Sequence, residues 1–118
     1  MFLILLVLDN PELVEDLLDA WEEAGVTGAT ILHSTGLGRL RKGDGLRDDV
    51  PLMPSLESLL DHVESFSRTI FTVVNDEAKV DGIVRATQSI TGDLSLPNSG
   101  FMIVVPVARV YGLQNRMP

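Results

Sequence analysis

The chain has 118 residues, of which 45% are hydrophobic and 22% charged, and it contains no cysteine. This length fits one domain, and the composition excludes a disordered segment, disulfide bonds, zinc fingers and thiolate catalysis. Nine Lys and Arg against 17 Asp and Glu give a net charge of −8. A surface this acidic repels phosphate backbones, which disfavours nucleic-acid binding.

The first element is a short apolar run, Phe2–Leu8, which predicts a strand covered on both faces. It is far shorter than the roughly 20 residues of a membrane-spanning helix. No basic residue precedes it, as one would in a signal peptide. We therefore expect a cytoplasmic protein without membrane insertion. Asn10 and Pro11 then predict the start of a helix, and Gly25 predicts its end.

Apolar residues at helical spacing predict one buried stripe on this helix: Leu13, Val14, Leu17, Leu18, Trp21 and Ala24. The remaining surface is acidic and is interpreted as a solvated face: Glu12, Glu15, Asp16, Asp19, Glu22 and Glu23. Gly28–Ser34 predicts a second strand. A polar stretch then runs to Pro54, and a short helix is predicted over Ser55–Ser65.

The second half of the chain repeats this order of elements. Thr69–Val74 predicts a third strand, Asn75-Asp76-Glu77 begins a second long helix that ends at Gly92, and Phe101–Val110 predicts a fourth strand. The buried stripe of the second helix is predicted at Ala78, Val80, Ile83, Val84, Thr87 and Ile90. Pro106 has no backbone N–H to donate, which favours an edge position for the last strand.

Two βαβ halves predict one α+β domain over residues 1–118, a ferredoxin-like βαββαβ sandwich with an extra short helix in the central connection. Strands one and three are expected at the centre of the sheet. Two helices cover only one face, yet Phe2–Leu8 and Phe101–Val105 are apolar on both. We therefore expect a homo-oligomer packed through its sheets. Cover by the helix over Ser55–Ser65 is the alternative.

The sequence offers few residues for catalysis or metal binding. His33 and His62 are its only histidines, they have no HxH or HxxxH spacing, and structural roles are favoured over metal ligation. No GxSxG, P-loop or GxGxxG motif occurs. Acylphosphatases and RNA-recognition domains share the predicted topology. The first need a glycine-rich anion cradle after strand one and the second need stacking aromatics on a basic surface, and neither feature is present.

One turn could receive an anion. In Gly36-Leu37-Gly38-Arg39 the backbone N–H groups and the guanidinium can bind negative charge, although ordinary turn geometry also explains the glycines. With the preceding Ala24–Thr30, AGVTGAT, this turn resembles the AGI-x-G-x-T…GxGR signature of nitrogen regulatory P-II proteins. The resemblance continues through Phe71–Asn75, Thr91-Gly92 and Pro106–Val110.

The resemblance implies a homotrimer with its sheets packed inward and no enzymatic activity. It implies a small effector, usually an adenine nucleotide, in clefts between subunits. The residues that match this cleft are Thr30, Gly36, Leu37, Gly38, Arg39, Gly92 and Gly100. It also implies a flexible T-loop-like effector segment over residues 39–54 that docks onto a target protein, such as a transporter or an enzyme. The basic residues of this segment are Arg41, Lys42 and Arg47.

The chain departs from the family pattern at the phosphate-binding positions. Phe101 stands where the family has a lysine, Asp93 adds a negative charge, and Gly112 and Gln114 replace two basic residues. Each lost cation removes a charge-assisted hydrogen bond of about 1.5–3 kcal/mol. We therefore expect a degraded ATP site that takes a small anion or an adenine nucleotide, with no certain cofactor.

Two other functions remain open at this point. A CutA-like trimer of metal tolerance shares the scaffold, but its usual cysteine and histidine pattern is absent. A small ferredoxin-like enzyme could use His33 or His62 as a base, but no carboxylate is paired with either histidine in the sequence.

Overall fold

The computed structural model describes residues 1–36, 67–97 and 99–113. It contains a four-stranded sheet and two α-helices, in the order β1 Phe2–Leu8, α1 Val14–Glu23, β2 Thr30–Ser34, β3 Ser67–Val74, α2 Glu77–Thr91 and β4 Phe101–Pro106. A short 3-10 turn, Pro11–Leu13, leads into α1. The helix predicted over Ser55–Ser65 and the loop predicted over residues 39–54 lie outside the described residues.

The strand order is β2-β3-β1-β4, and all neighbouring strands are antiparallel. Each α-helix therefore joins two parallel strands that have a third strand between them, which is the split βαβ arrangement of ferredoxin-like folds. The predicted fold class is confirmed. The prediction that strands one and three are central is also confirmed, and Pro106 ends an edge strand.

Side-chain caps lie at the two helix starts that the sequence predicts. Asn10 Oδ1 accepts a hydrogen bond from the Glu12 backbone N–H at 3.0 Å, and Asp76 Oδ1 accepts one from Lys79 at 2.8 Å. Both contacts satisfy a backbone donor that the first helical turn leaves unpaired. The first helix differs from the prediction in one respect, because its first turn is 3-10 rather than α.

Three strand boundaries differ from the prediction. The second strand begins at Thr30 instead of Gly28, and the Gly28 carbonyl instead accepts a hydrogen bond of 2.7 Å from Thr72 Oγ1. The third begins at Ser67, two residues early, because Ser67 pairs with Ser34. The fourth ends at Pro106 rather than Val110, although the next backbone N–H, of Val107, still donates to the Met1 carbonyl at 3.0 Å. Pro106 pairs with Phe2 at a position where its nitrogen faces away from β1, so the missing N–H costs no bond to β1.

The core lies between the helices and one face of the sheet. The predicted stripes of both helices supply its helical side, with Leu17, Trp21, Val80 and Ile83 buried. Alternate residues of the central strands supply the other side, because side chains two residues apart share a face: Ile4, Leu6, Leu8, Ile70 and Val74.

The opposite face of the sheet, here called the open face, is also apolar. Among the described residues no helix packs against it, and Leu32, Phe101, Ile103 and Val105 are each about half exposed. Nine apolar side chains share this face by register and alternation: Leu3, Leu5, Val7, Leu32, Phe71, Val73, Phe101, Ile103 and Val105.

Candidate functional site

One end of the sheet, here called the loop end, gathers most of the described site residues. The register pairs Leu8 with Arg68 and Val7 with Phe101, and Ser34 pairs with Ser67. The ends of β1 and β2 therefore meet the beginnings of β3 and β4. Three glycines of the predicted cleft lie next to the strand ends at this edge of the sheet. Gly36 leaves β2, Gly100 enters β4, and Gly92 ends the helix that returns from the far end.

Gly100 is held against the end of β1. Its φ of +97° lies in the left-handed region, and a Cβ at this position would overlap the Val7 carbonyl oxygen and approach the Asp9 backbone nitrogen. Only glycine avoids both the backbone strain and the overlap. The loop between α2 and β4 is therefore fixed to β1 at this glycine.

The same loop carries an ordered negative charge. The Asp93 carboxylate accepts hydrogen bonds from the Ser95 backbone N–H at 2.9 Å and from Ser95 Oγ at 2.8 Å. The backbone bond and then the side-chain bond lower the pKa of the Asp93 carboxyl below its ordinary value of 3.8, because both stabilise the charged form. Gln88 Oε1 also accepts from the Leu94 N–H at 3.2 Å. Asp93 is thus ionised at neutral pH beside the predicted cleft.

A hydroxyl cluster lies where β2 ends and β3 begins. Thr69 Oγ1 donates to Ser34 Oγ at 2.9 Å, the Ser34 and Ser67 hydroxyls are 3.0 Å apart, and Ser67 Oγ donates to the Ser34 carbonyl at 3.1 Å. These bonds fix the two strands from which residues 37–66 depart. No sequence motif marks this cluster, since it depends on the Ser34–Ser67 register across a long connection.

Thr30 occupies a different place. It lies at the start of β2, pairs with Phe71, and lines a pocket of about 180 Å³. Residues 27–29, Phe71, Val73 and Leu113 also line this pocket, and none of the lining residues in the described part of the chain is charged. Leu113 comes from the segment after β4. Sequence analysis did not predict Phe71 or Leu113 as pocket residues, because only the folded chain brings them beside Thr30.

The predicted cleft residues therefore form two groups. Gly36, Gly92 and Gly100 lie at the loop end, whereas Thr30 lies at the opposite end of β2, about 13 Å from Ser34 at 3.3 Å per residue. Within one subunit the two groups therefore lie at opposite ends of this strand. The other predicted site residues lie outside the described part of the chain: Leu37, Gly38, Arg39, Arg41, Lys42 and Arg47.

Within residues 1–36, 67–97 and 99–113, no three His, Cys, Asp or Glu side chains are grouped so that they could hold a metal ion. His33 pairs across the strands with Arg68. None of the helices in these ranges is long and apolar enough to cross a membrane.

Comparison with protein families gives one match that spans almost the whole chain. The family model described as nitrogen regulatory protein P-II matches residues 1–116. A comparison with curated proteins found no significant match. The match agrees with the ferredoxin-like topology and with the AGVTGAT and GLGR motifs of the sequence. The chain therefore belongs to the nitrogen regulatory protein P-II family, whose members are small regulatory signalling proteins.

Proposed function

We propose that this protein is a cytoplasmic, trimeric, ligand-sensing regulator that binds a small effector between subunits. In this proposal, residues 39–54 contact a target protein such as a transporter or an enzyme, and the chain has no catalytic activity of its own. The observation that carries the proposal is the separation of Thr30 from the three glycines at the loop end. A small effector contacts both groups only if they come from different subunits.

The pocket beside Thr30 supports a shared site. Its volume of about 180 Å³ is below the roughly 300–1,000 Å³ of ordinary small-molecule sites. It has an apolar wall, formed by Phe71, Val73 and Leu113, and none of the described residues that line it carries a charge. These features suit a ring of a ligand. A charged group of the same ligand would need partners from elsewhere, such as the turn Gly36–Arg39 of another copy.

The open face supports assembly of several copies. Leu32 on one edge strand, and Phe101, Ile103 and Val105 on the other, are each about half exposed to water in the isolated chain. Burial of several hundred Å² of apolar surface at about 25 cal/mol per Å² is worth roughly 10 kcal/mol before association costs. Members of the P-II family typically form trimers and bind effectors, so we propose a trimer with these faces inward.

Mixed trimers test whether the site lies between subunits. Thr30→Trp fills the pocket half and Arg39→Ala removes the cation of the turn, so each variant alone is expected to lose binding of AMP. AMP is a suitable probe because it combines one ring with one phosphate. In trimers assembled from both variants, some interfaces combine the native Thr30 of one subunit with the native Arg39 of the next. These interfaces should recover part of the wild-type binding capacity in calorimetry.

One control variant tests the pocket, and light scattering tests the assembly of every variant. Thr30→Ser keeps the hydroxyl and leaves the pocket open, so it should bind AMP like the wild type. Light scattering must give the same mass for every variant. If mixed trimers show no recovery while wild type binds AMP, the site lies within one subunit. If wild type binds neither AMP, ADP, phosphate nor bicarbonate, the proposed effector class is wrong.

A further inference from the structure

A second cavity lies on the helix-covered face, far from the loop end. This groove has a volume of about 590 Å³ and runs between the C-terminal half of α1 and the chain that enters β2. Leu18, Trp21, Val26 and Ile31 give it an apolar lining. Ile31 is 41% exposed even though it faces the helix side of the sheet. Residues 27–29 border both this groove and the pocket beside Thr30, but neighbouring strand residues face opposite sides of the sheet, so Ile31 lines only the groove and Thr30 only the pocket.

One rim of the groove is acidic. Glu22 lines the groove itself, and Glu15 and Asp19 precede it on α1 at spacings that place all three carboxylates along one stripe. All three side chains are exposed, and α1 contains no basic residue. The other acids of this helix lie further around its surface, at Asp16 and Glu23. The groove therefore combines an apolar floor with a one-sided negative rim.

We propose that this groove binds an amphipathic basic segment of a partner protein. Its apolar side chains, repeated every three or four residues, would enter the groove beside Trp21 and Ile31. Lysine or arginine residues along the same segment would face Glu15, Asp19 and Glu22, and this charge complementarity selects the partner. Nucleic acid and anionic membranes are disfavoured by the same carboxylates. The floor of this surface, Trp21 and Ile31, is no part of the proposed effector pocket, although residues 27–29 border both.

Fluorescence can test the groove directly, because Trp21 is the only tryptophan of the chain. The probes are two peptides without tryptophan that share one amphipathic leucine pattern, one with lysine and one with glutamate at the polar positions. The lysine peptide should shift Trp21 emission with saturation and bind at least about tenfold more tightly than the glutamate peptide, as expected when a few charge pairs change sign.

Matched variants locate the contact. Glu15→Lys/Glu22→Lys changes the rim, whereas Asp16→Lys/Glu23→Lys makes the same change in net charge away from it. The rim variant should weaken the lysine peptide about tenfold, and the control less than about twofold. Ile31→Glu should also weaken binding at least about tenfold, because it places a carboxylate in the apolar floor.

Three outcomes would overturn the proposal. Equal losses in the rim and control variants would mean that only the overall charge attracts the peptide. Unchanged affinity of Ile31→Glu, with wild-type circular dichroism, would exclude the groove as the contact. A lower mass of Ile31→Glu by light scattering, together with no peptide binding to the wild type, would mean that another copy of the chain fills the groove.

Discussion

Trp21 and Thr87 form a buried hydrogen bond that joins the two helices. The indole Nε1–H donates to Thr87 Oγ1 at 2.8 Å, and the same hydroxyl donates to the Ile83 carbonyl at 2.7 Å. Both side chains are almost completely buried. The pair connects the two βαβ halves of the chain through a polar contact in a mainly apolar core.

Thr87→Val should lower the free energy of unfolding by about 1–3 kcal/mol. Valine preserves the shape of threonine but leaves the buried indole N–H without an acceptor, and an unsatisfied buried donor costs about this much. Urea denaturation followed by Trp21 emission measures the change. Thr91→Val is the matched control, since its exposed hydroxyl donates to the adjacent Gly92 carbonyl and to no distant part of the described chain. Equal losses in both variants would contradict the role assigned to the indole bond.

Gly100→Ala should destabilise the fold by more than about 2 kcal/mol, because it combines a left-handed backbone with a steric overlap. The methyl group would collide with the Val7 carbonyl oxygen. Gly92→Ala separates the two effects. Gly92 also has a positive φ, +79°, but its Cβ would meet nothing within 4 Å. It should lose only the cost of backbone strain, roughly 1–2 kcal/mol. Equal losses in urea denaturation would exclude the overlap as a cause.

Much of this fold could be predicted from the sequence because local signals and packing agree. Asn10 and Asp76 cap helices, and the stripes through Leu17 and Ile83 reach the core as their spacing requires. The ends of strands were predicted less well. Gly28 stays outside β2 because its carbonyl accepts a hydrogen bond from Thr72, which lies 44 residues away in the sequence.

The candidate site was harder to predict than the fold, because it too depends on contacts between residues that are far apart in the sequence. Thr30 and Gly36 lie close together in the sequence, and their shared motif suggested one cleft. An extended strand separates them, and the neighbours of Thr30 are Phe71 and Leu113. These contacts depend on strand register and on the path of the chain after β4, which no local motif encodes.

Ile103→Glu should dissociate the proposed trimer. Ile103 lies on the open face and is 45% exposed, so a carboxylate there would be buried without a partner on assembly. Size exclusion coupled to light scattering should give three times the chain mass of 12.9 kDa for the wild type, and the single-chain mass for the variant. Ile31→Glu is the matched control, because Ile31 faces the opposite side of the sheet. A monomeric wild type at micromolar concentration would refute the sheet-packing argument.

Asp93 should make the stability of the protein depend on pH in the acidic range. Its pKa is lowered in the folded state, so its contribution is present above the unfolded value near 3.8 and is lost as the pH falls through the folded pKa. Asp93→Asn should therefore be less stable than wild type at pH 7, and the difference should shrink below about pH 4.

Carbon-detected NMR titration of Asp93 tests the physical cause. Ser95→Ala removes the side-chain hydrogen bond but keeps the backbone one, so the Asp93 pKa should rise only part of the way to 3.8. An Asp93 pKa that does not respond to Ser95→Ala would assign the whole shift to the backbone N–H.

Wild-type protein should bind ATP with Mg²⁺ more weakly than about 100 μM, or about −5.5 kcal/mol. Phe101 occupies the position where the family has a lysine, and the ionised Asp93 lies in the same loop. Arg39 is the one phosphate-facing cation that the resemblance leaves in place. A single guanidinium with backbone N–H groups suits a monophosphate or a carboxylate better than a triphosphate.

In calorimetry, Arg39→Ala should therefore abolish AMP or phosphate binding while light scattering gives an unchanged mass. Micromolar ATP affinity in the wild type would mean that other cations replace the missing ones, and AMP binding that survives in Arg39→Ala would place the anion elsewhere.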